Sequence, residues 1–149
     1  MRRLLREIDI PPLWLIVFGL AGWGLVRLWA LPVPLLRPVG LALMAAGIGL
    51  MLAAVAQMAW HRTTAIPRRA PRQLVTGGLF ALSRNPIYLG DAIALTGWLL
   101  WIDGVWTLPL VPAFMAFLLQ RYIRAEEAVL AAAFPQEFAA WRLRTRRWL

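Results

Sequence analysis

The sequence has no cysteine, no lysine, one histidine and 2 Tyr. Without cysteine there are no disulfides, no thiolate metal sites and no cysteine nucleophile. A lone histidine does not make a metal centre, so no metal is expected. Acidic residues are scarce, 7 against 16 basic ones, and with lysine absent every basic residue is arginine, for a formal net charge of +9. Charged residues make up only 15% of the chain, against roughly 25% in soluble domains. What fills the sequence instead is apolar: 61% hydrophobic residues, 9 of them Trp. Such a chain has too little polar surface to enclose a soluble core, and an integral membrane protein is expected. A strongly basic balance suits either nucleic acid or an anionic membrane face. Here the arginines flank apolar runs, so the bilayer accounts for them and no nucleic-acid partner is expected. A length of 149 residues allows one domain.

Four apolar runs organise the chain. The first, Pro11 to Leu31, follows Arg2, Arg3 and Arg6. It is long for a signal sequence, lacks a small-x-small cleavage site after it, and reads as a retained span of about 20 residues. The second, Val39 to Trp60, carries Gly40, Ala42, Ala45, Ala46, Gly47 and Gly49, small residues that suit close helix packing in lipid. Residues 61–84 are the longest polar stretch and, with Pro67 and Pro71, read as loop at least through Pro71. The third and fourth runs, Ile87 to Trp101 and Val105 to Tyr122, are shorter and are separated by a turn at Asp103-Gly104. They predict a helical hairpin too short to stand upright across the bilayer. Past Arg124 the fourth helix should continue to Phe134, and Pro135 should begin a last helix. There Phe138 and Trp141 share a face ahead of Arg142, Arg144, Arg146 and Arg147, the pattern of an amphipathic helix resting on the bilayer. The expected architecture is therefore all-α and integral to the membrane. It has about four transmembrane helices and a C-terminal amphipathic helix on the cytoplasmic face. Residues 1–60 supply two spans, and 61–149 supply the chemistry. Arginines concentrate in the N-terminal arm, the 61–84 loop and the tail, so both termini should be cytoplasmic.

Two polar islands interrupt this pattern. The first is Leu74-Val75-Thr76-Gly77-Gly78-Leu79-Phe80-Ala81-Leu82-Ser83-Arg84-Asn85-Pro86-Ile87-Tyr88-Leu89-Gly90. Asn85 and Pro86 suit a helix start. The same helix N-terminus, with Arg84, Tyr88 and the Gly77-Gly78 pair, also suits an anionic ligand approached closely by backbone. Taken alone, the segment reads equally as cap or ligand site. The second island is Glu126-Glu127. Adjacent helical residues point about 100° apart, so one glutamate should face a pocket while the other pairs with Arg124 or meets solvent. His61 sits at a membrane interface, where amphipathic side chains collect anyway. Asp91, in the first turn of the third helix, suits the helix dipole.

The segments "LVTGGLFALSRNPIYLG" and "RAEEAVLAAAFPQEFAAW", about 35 residues apart, resemble the paired motifs of the isoprenylcysteine carboxyl methyltransferase and phospholipid methyltransferase superfamily. The resemblance covers residues 72–145. It implies a membrane methyltransferase that uses S-adenosylmethionine and releases S-adenosylhomocysteine on the cytoplasmic side, in a bacterial inner or plasma membrane. By position, Arg72, Gln73, Leu74, Val75, Gly77, Gly78, Phe80, Asn85, Pro86, Ile87, Tyr88, Glu126 and Glu127 would bind the cofactor, with Arg84, Tyr88 and Glu126 closest to the chemistry. Arg121, Tyr122, Arg124 and His61 are candidates for the acceptor side.

The sequence departs from the carboxyl methyltransferases at two places. Tyr122 stands where they carry an arginine, four residues before the first glutamate, and Asn85 replaces the histidine of their His-Pro pair. The acceptor is therefore expected to be a small lipophilic or lipid-linked molecule. The alternatives are a phospholipid amine, a thiol, or no reaction at all in a membrane scaffold that has kept the fold. Sterol reductases share the C-terminal architecture but are far longer.

Overall fold

Proline sets the start of several helices, because its missing N–H falls where a helix has no acceptor to offer. The computed structural model describes residues 10–29, 31–63 and 73–149. Arg2, Arg3, Arg6, Pro67, Pro71 and Arg72 lie outside them. Among the described residues every regular element is helical. Helix α1 is Pro11–Leu28 and α2 is Arg37–Trp60, joined through a 3-10 turn at Pro34–Leu36. Both are long and apolar enough to cross a membrane by length and composition. Their apolar side chains are largely uncovered: Ile16 and Leu20 are each 58% exposed, and Leu52 is 65% exposed. A helix that is apolar all round yet uncovered calls for lipid as its solvent.

Past Pro71 the 61–84 stretch holds a short helical element. Leu79–Leu82 forms a single helical turn, α3, before α4 at Pro86–Trp101. Gln57 on α2 builds the entrance to α3, its Nε2 donating to the Gly77 carbonyl at 2.7 Å and its Oε1 accepting from Leu79 N–H at 3.1 Å. Gly78 has φ +56, and a Cβ there would lie 2.7 Å from the Gln57 amide. Only glycine fits.

The fourth apolar run is also less regular than expected. Asp103 takes a positive φ of 62, and Val105–Thr107 makes a 3-10 turn before α5 begins at Leu110–Leu118. Thr107 Oγ1 donates to the Gly104 carbonyl at 2.6 Å, which tightens this turn and delays the helix. From α5 the chain runs through a π-helical turn, Leu119–Ile123, into α6, Arg124–Ala133. The helix then breaks at Phe134, and α7 follows at Pro135–Arg144.

The chain divides into two compact units, Met1–Ile48 with Asp91–Ala116 and Gly49–Gly90 with Phe117–Leu149. In the first, glycine lets α2 and α4 meet backbone to backbone. A Cβ on Gly40 would lie 2.6 Å from the Gly97 carbonyl oxygen, and one on Gly97 would lie 2.5 Å from that of Gly40. Helix α1 joins them through the Trp98 indole N–H, which donates to the Gly19 carbonyl at 3.0 Å. At the turns, Arg37 grips the Asp103 carboxylate through Nε at 3.2 Å and Nη2 at 2.6 Å. In the second unit, Ala54, Val75, Phe80, Phe138 and Trp141 form a buried core. The amphipathic-helix expectation for α7 is corrected here in one respect. Its two aromatic side chains face this core and not a bilayer, and the Trp141 indole donates to the Phe80 carbonyl at 2.8 Å.

Candidate functional site

The second unit gathers both polar islands. Tyr88 lies in the first turn of α4, and its hydroxyl donates to Glu126 Oε1 on α6 at 2.6 Å. The Tyr88 ring stacks on Tyr122, centroids 6.3 Å apart and planes at 26°. Tyr122 belongs to the π-helical turn, the wide kind of turn that recurs at functional sites because it displaces side chains from the regular helical rows.

Glu127 points the other way, as the angle between adjacent helical residues requires. Its partners differ from the expected Arg124 or solvent. Arg147 holds it through Nε–Oε1 at 3.0 Å and Nη2–Oε2 at 2.8 Å, and Arg84 Nη1 lies 3.2 Å from Oε1. The physical reason is burial: a largely enclosed carboxylate demands strong partners, and a bidentate guanidinium outweighs an exposed pair worth a few tenths of a kcal/mol. Burial pushes the Glu127 carboxyl up, but the Arg147 hydrogen bonds and the Arg84 charge prevail and hold it below its ordinary range. Burial pulls the Arg84 guanidinium below its usual value, with Arg147 and Arg142 adding to the effect and Glu127 opposing it. Arg84 Nε and Nη1 are buried and make no hydrogen bond. The site thus holds a cation with donor capacity to spare.

Asn85 does more than begin a helix. Its Nδ2 donates to the Arg147 carbonyl at 3.0 Å, and its N–H donates to Ser83 Oγ at 3.2 Å. Pro86 is buried at the first position of α4, and Ile87 packs against the core. Gln73 and Leu74 line a cavity of about 410 Å³ together with Thr76, Phe134, Glu137, Ala140 and Arg144. Val75 and Phe80 lie in the core. Gly77 accepts from Gln57 and has open space at its Cα, whereas Gly78 is spent on the turn. The structure therefore brings together Arg84, Asn85, Tyr88, Tyr122, Glu126 and Glu127. His61, Arg121 and Arg124 are exposed, and among the described residues no hydrogen bond or ion pair joins His61 or Arg124 to this network. Arg72 lies outside the described residues.

Sequence reasoning missed Arg147, Ser83 and the α7 side of the cavity. Arg147 was hidden in a run of arginines that reads as membrane-facing. Phe134 and Glu137 stood within the second motif, where the break at Pro135 could have marked them.

The model of the phospholipid methyltransferase family matches residues 36–137. That range takes in Arg84 to Tyr88 and the Glu126-Glu127 pair, and it stops before Trp141 and Arg147. No curated protein and no solved structure matches the chain.

Proposed function

This chain belongs to the phospholipid methyltransferase family, a family of membrane methyltransferases, and from that premise we propose that it transfers a methyl group from S-adenosylmethionine to a lipophilic acceptor at a membrane surface. The observation that carries the reading is the 2.6 Å bond from the Tyr88 hydroxyl to Glu126, which unites the two motifs.

The residues present fit the cofactor. S-adenosylmethionine supplies an electrophilic methyl on a cationic sulfonium. The Glu126 carboxylate, held in one orientation by Tyr88, and the Tyr88 ring suit that cation. The buried Nε and Nη1 of Arg84, which make no hydrogen bond although Nη1 lies in an ion pair with Glu127, suit the amino-acid carboxylate. Arg84, Tyr88 and Glu126 do not line the cavity at Gln73, Leu74 and Phe134; we assign that cavity to the adenosine end because it has the size of a small-molecule site and Glu137 can accept from hydroxyl or amino groups. Charge is neutralised in the transfer, so these side chains act by holding the reacting groups in line and keeping water away. No covalent protein intermediate is needed.

Tyr122 narrows the acceptor. It is 2% exposed and stacked on Tyr88, so the arginine that would hold a carboxylate substrate is replaced by an aromatic face. An amine on a lipid, or a thiol, needs no such arginine. Around the site, we place both termini on the cytoplasmic side of a bacterial inner membrane, with four apolar helices in lipid. Arg142, Arg144 and Arg146, exposed around a Leu143 that is 91% exposed, would meet anionic headgroups.

The test is transfer of label from methyl-labelled S-adenosylmethionine to lipid. Purified protein in bilayers containing phosphatidylethanolamine should place label in the organic phase, and Glu126→Gln should abolish it. Folded protein that labels no lipid amine, thiol or other lipophilic acceptor would favour the scaffold reading.

A further inference from the structure

Residues 145–147 lie as a strap along the turn that leads into α4. Arg84 N–H donates to the Arg146 carbonyl at 3.0 Å. The Arg147 carbonyl accepts from Asn85 Nδ2 at 3.0 Å and from Ser83 Oγ at 3.3 Å, and Thr145 Oγ1 donates to the Ala81 carbonyl at 3.4 Å. From the same residue, the Arg147 guanidinium reaches Glu127 with two hydrogen bonds of 3.0 and 2.8 Å. Arg147 thus joins the two islands, its carbonyl on the first and its guanidinium on the second. Two parallel N–H···O bonds fix the plane of a carboxylate as well as its position. Fixing Glu127 also fixes the rotation of α6, and so the direction in which Glu126 leaves the helix.

We propose that Arg147 is a positioning residue of the cofactor site, and that docking of residues 145–147 and filling of that site are one coupled equilibrium. The proposal rests on the methyltransferase reading. Arg147 acts through Glu127, Ser83 and Asn85 and need not touch the cofactor. If the site is formed only when the strap is docked, a ligand of the site holds the strap down, and a strap that cannot dock weakens the ligand by the same factor.

The strap is rich in arginine, so trypsin reads its docking directly. With wild-type protein in detergent, S-adenosylhomocysteine at 100 times its Kd should slow cleavage after Arg144 and Arg146 by at least tenfold, and by up to about a hundredfold if every cut requires undocking. Arg147→Lys keeps the charge but loses the fork. It should weaken S-adenosylhomocysteine binding about tenfold, raise the KM for the cofactor and leave kcat at saturation within about twofold. Glu127→Gln should add little further loss in the Arg147→Lys background, because both changes break the same pair. Arg147→Ala should lose still more affinity, and the lysine variant decides the matter if the alanine variant does not fold. Wild type that binds ligand without slower cleavage, or Arg147→Lys that binds as tightly as wild type, overturns the proposal alone. Wild type that binds no S-adenosylhomocysteine overturns the methyltransferase reading, and the proposal falls with it.

Discussion

Tyr88 and Glu126 are 38 residues apart in the chain and 2.6 Å apart in space. Each residue was legible as a site candidate because it stands in a motif; the bond between them was not. Replacing Tyr88 by Phe removes the hydroxyl and keeps the ring. The Glu126 carboxylate then loses a charge-assisted bond worth about 1.5–3 kcal/mol, so S-adenosylmethionine affinity should fall about tenfold or more by calorimetry. The roles of Glu127 and Arg147 were not legible. Helix geometry says only that two adjacent glutamates diverge, and the partner of the second lies in a tail whose composition points elsewhere. Glu127 also carries a pH dependence. Its carboxyl is held below its ordinary value of 4.5, so the folded state binds fewer protons than the unfolded chain. The stabilisation is complete above that value and disappears as the pH falls through the lowered one. The contribution of Glu127 to the thermal midpoint should be flat above about pH 5 and drop below it. Glu127→Gln, which strands Arg84 beside Arg147, should be less stable by about 3 kcal/mol at neutral pH and should lose less on acidification. Asp103, also held low by Arg37, contributes to the acid loss in both proteins, so the informative quantity is their difference.

Among the elements, the long helices were the most legible part of the fold. Apolar runs bounded by proline and arginine mark α1, α2 and α4 to within a few residues. The irregular pieces were not legible: α3 depends on Gln57 and the inward face of α7 on Val75 and Phe80, contacts distant in sequence, while the turn before α5 rests on the local Thr107–Gly104 bond inside a run whose apolar pattern reads as helix. The small residues of α2 show the same division. Composition placed them on a packing helix, but only the structure separates those that pack from those that do not. Gly40 meets Gly97 across a backbone contact, whereas Gly49 has nothing within 4 Å of its would-be Cβ. Gly97→Ala should therefore force α2 and α4 apart and cost about 1–3 kcal/mol. Gly49→Ala should be neutral or stabilising by up to about 1 kcal/mol through helix propensity. Thermal melting of both variants in one detergent checks the pair. Equal effects would mean that the α2–α4 approach is looser than the structure shows.

At the scale of the whole molecule, membrane and methyl transfer are linked by composition. A chain with this much uncovered apolar surface works against a bilayer, and its polar groups are concentrated where the two motifs meet. The protein should remain with the membrane fraction through an alkaline carbonate wash, and tags at its two ends should both be reached from the cytoplasmic side. A tag reached only from outside would reverse the assigned orientation and remove the soluble cofactor from the site. The most direct test of the account is calorimetric titration of S-adenosylmethionine, which carries the sulfonium charge that Glu126 would face, into the detergent-purified protein, with Glu126→Gln beside it. Saturable binding to wild type, weakened at least tenfold in a variant with an unchanged thermal midpoint, is the predicted result. No binding to folded wild type, or equal binding to both, would contradict the assignment of Glu126 and Tyr88 to a methyl-transfer site.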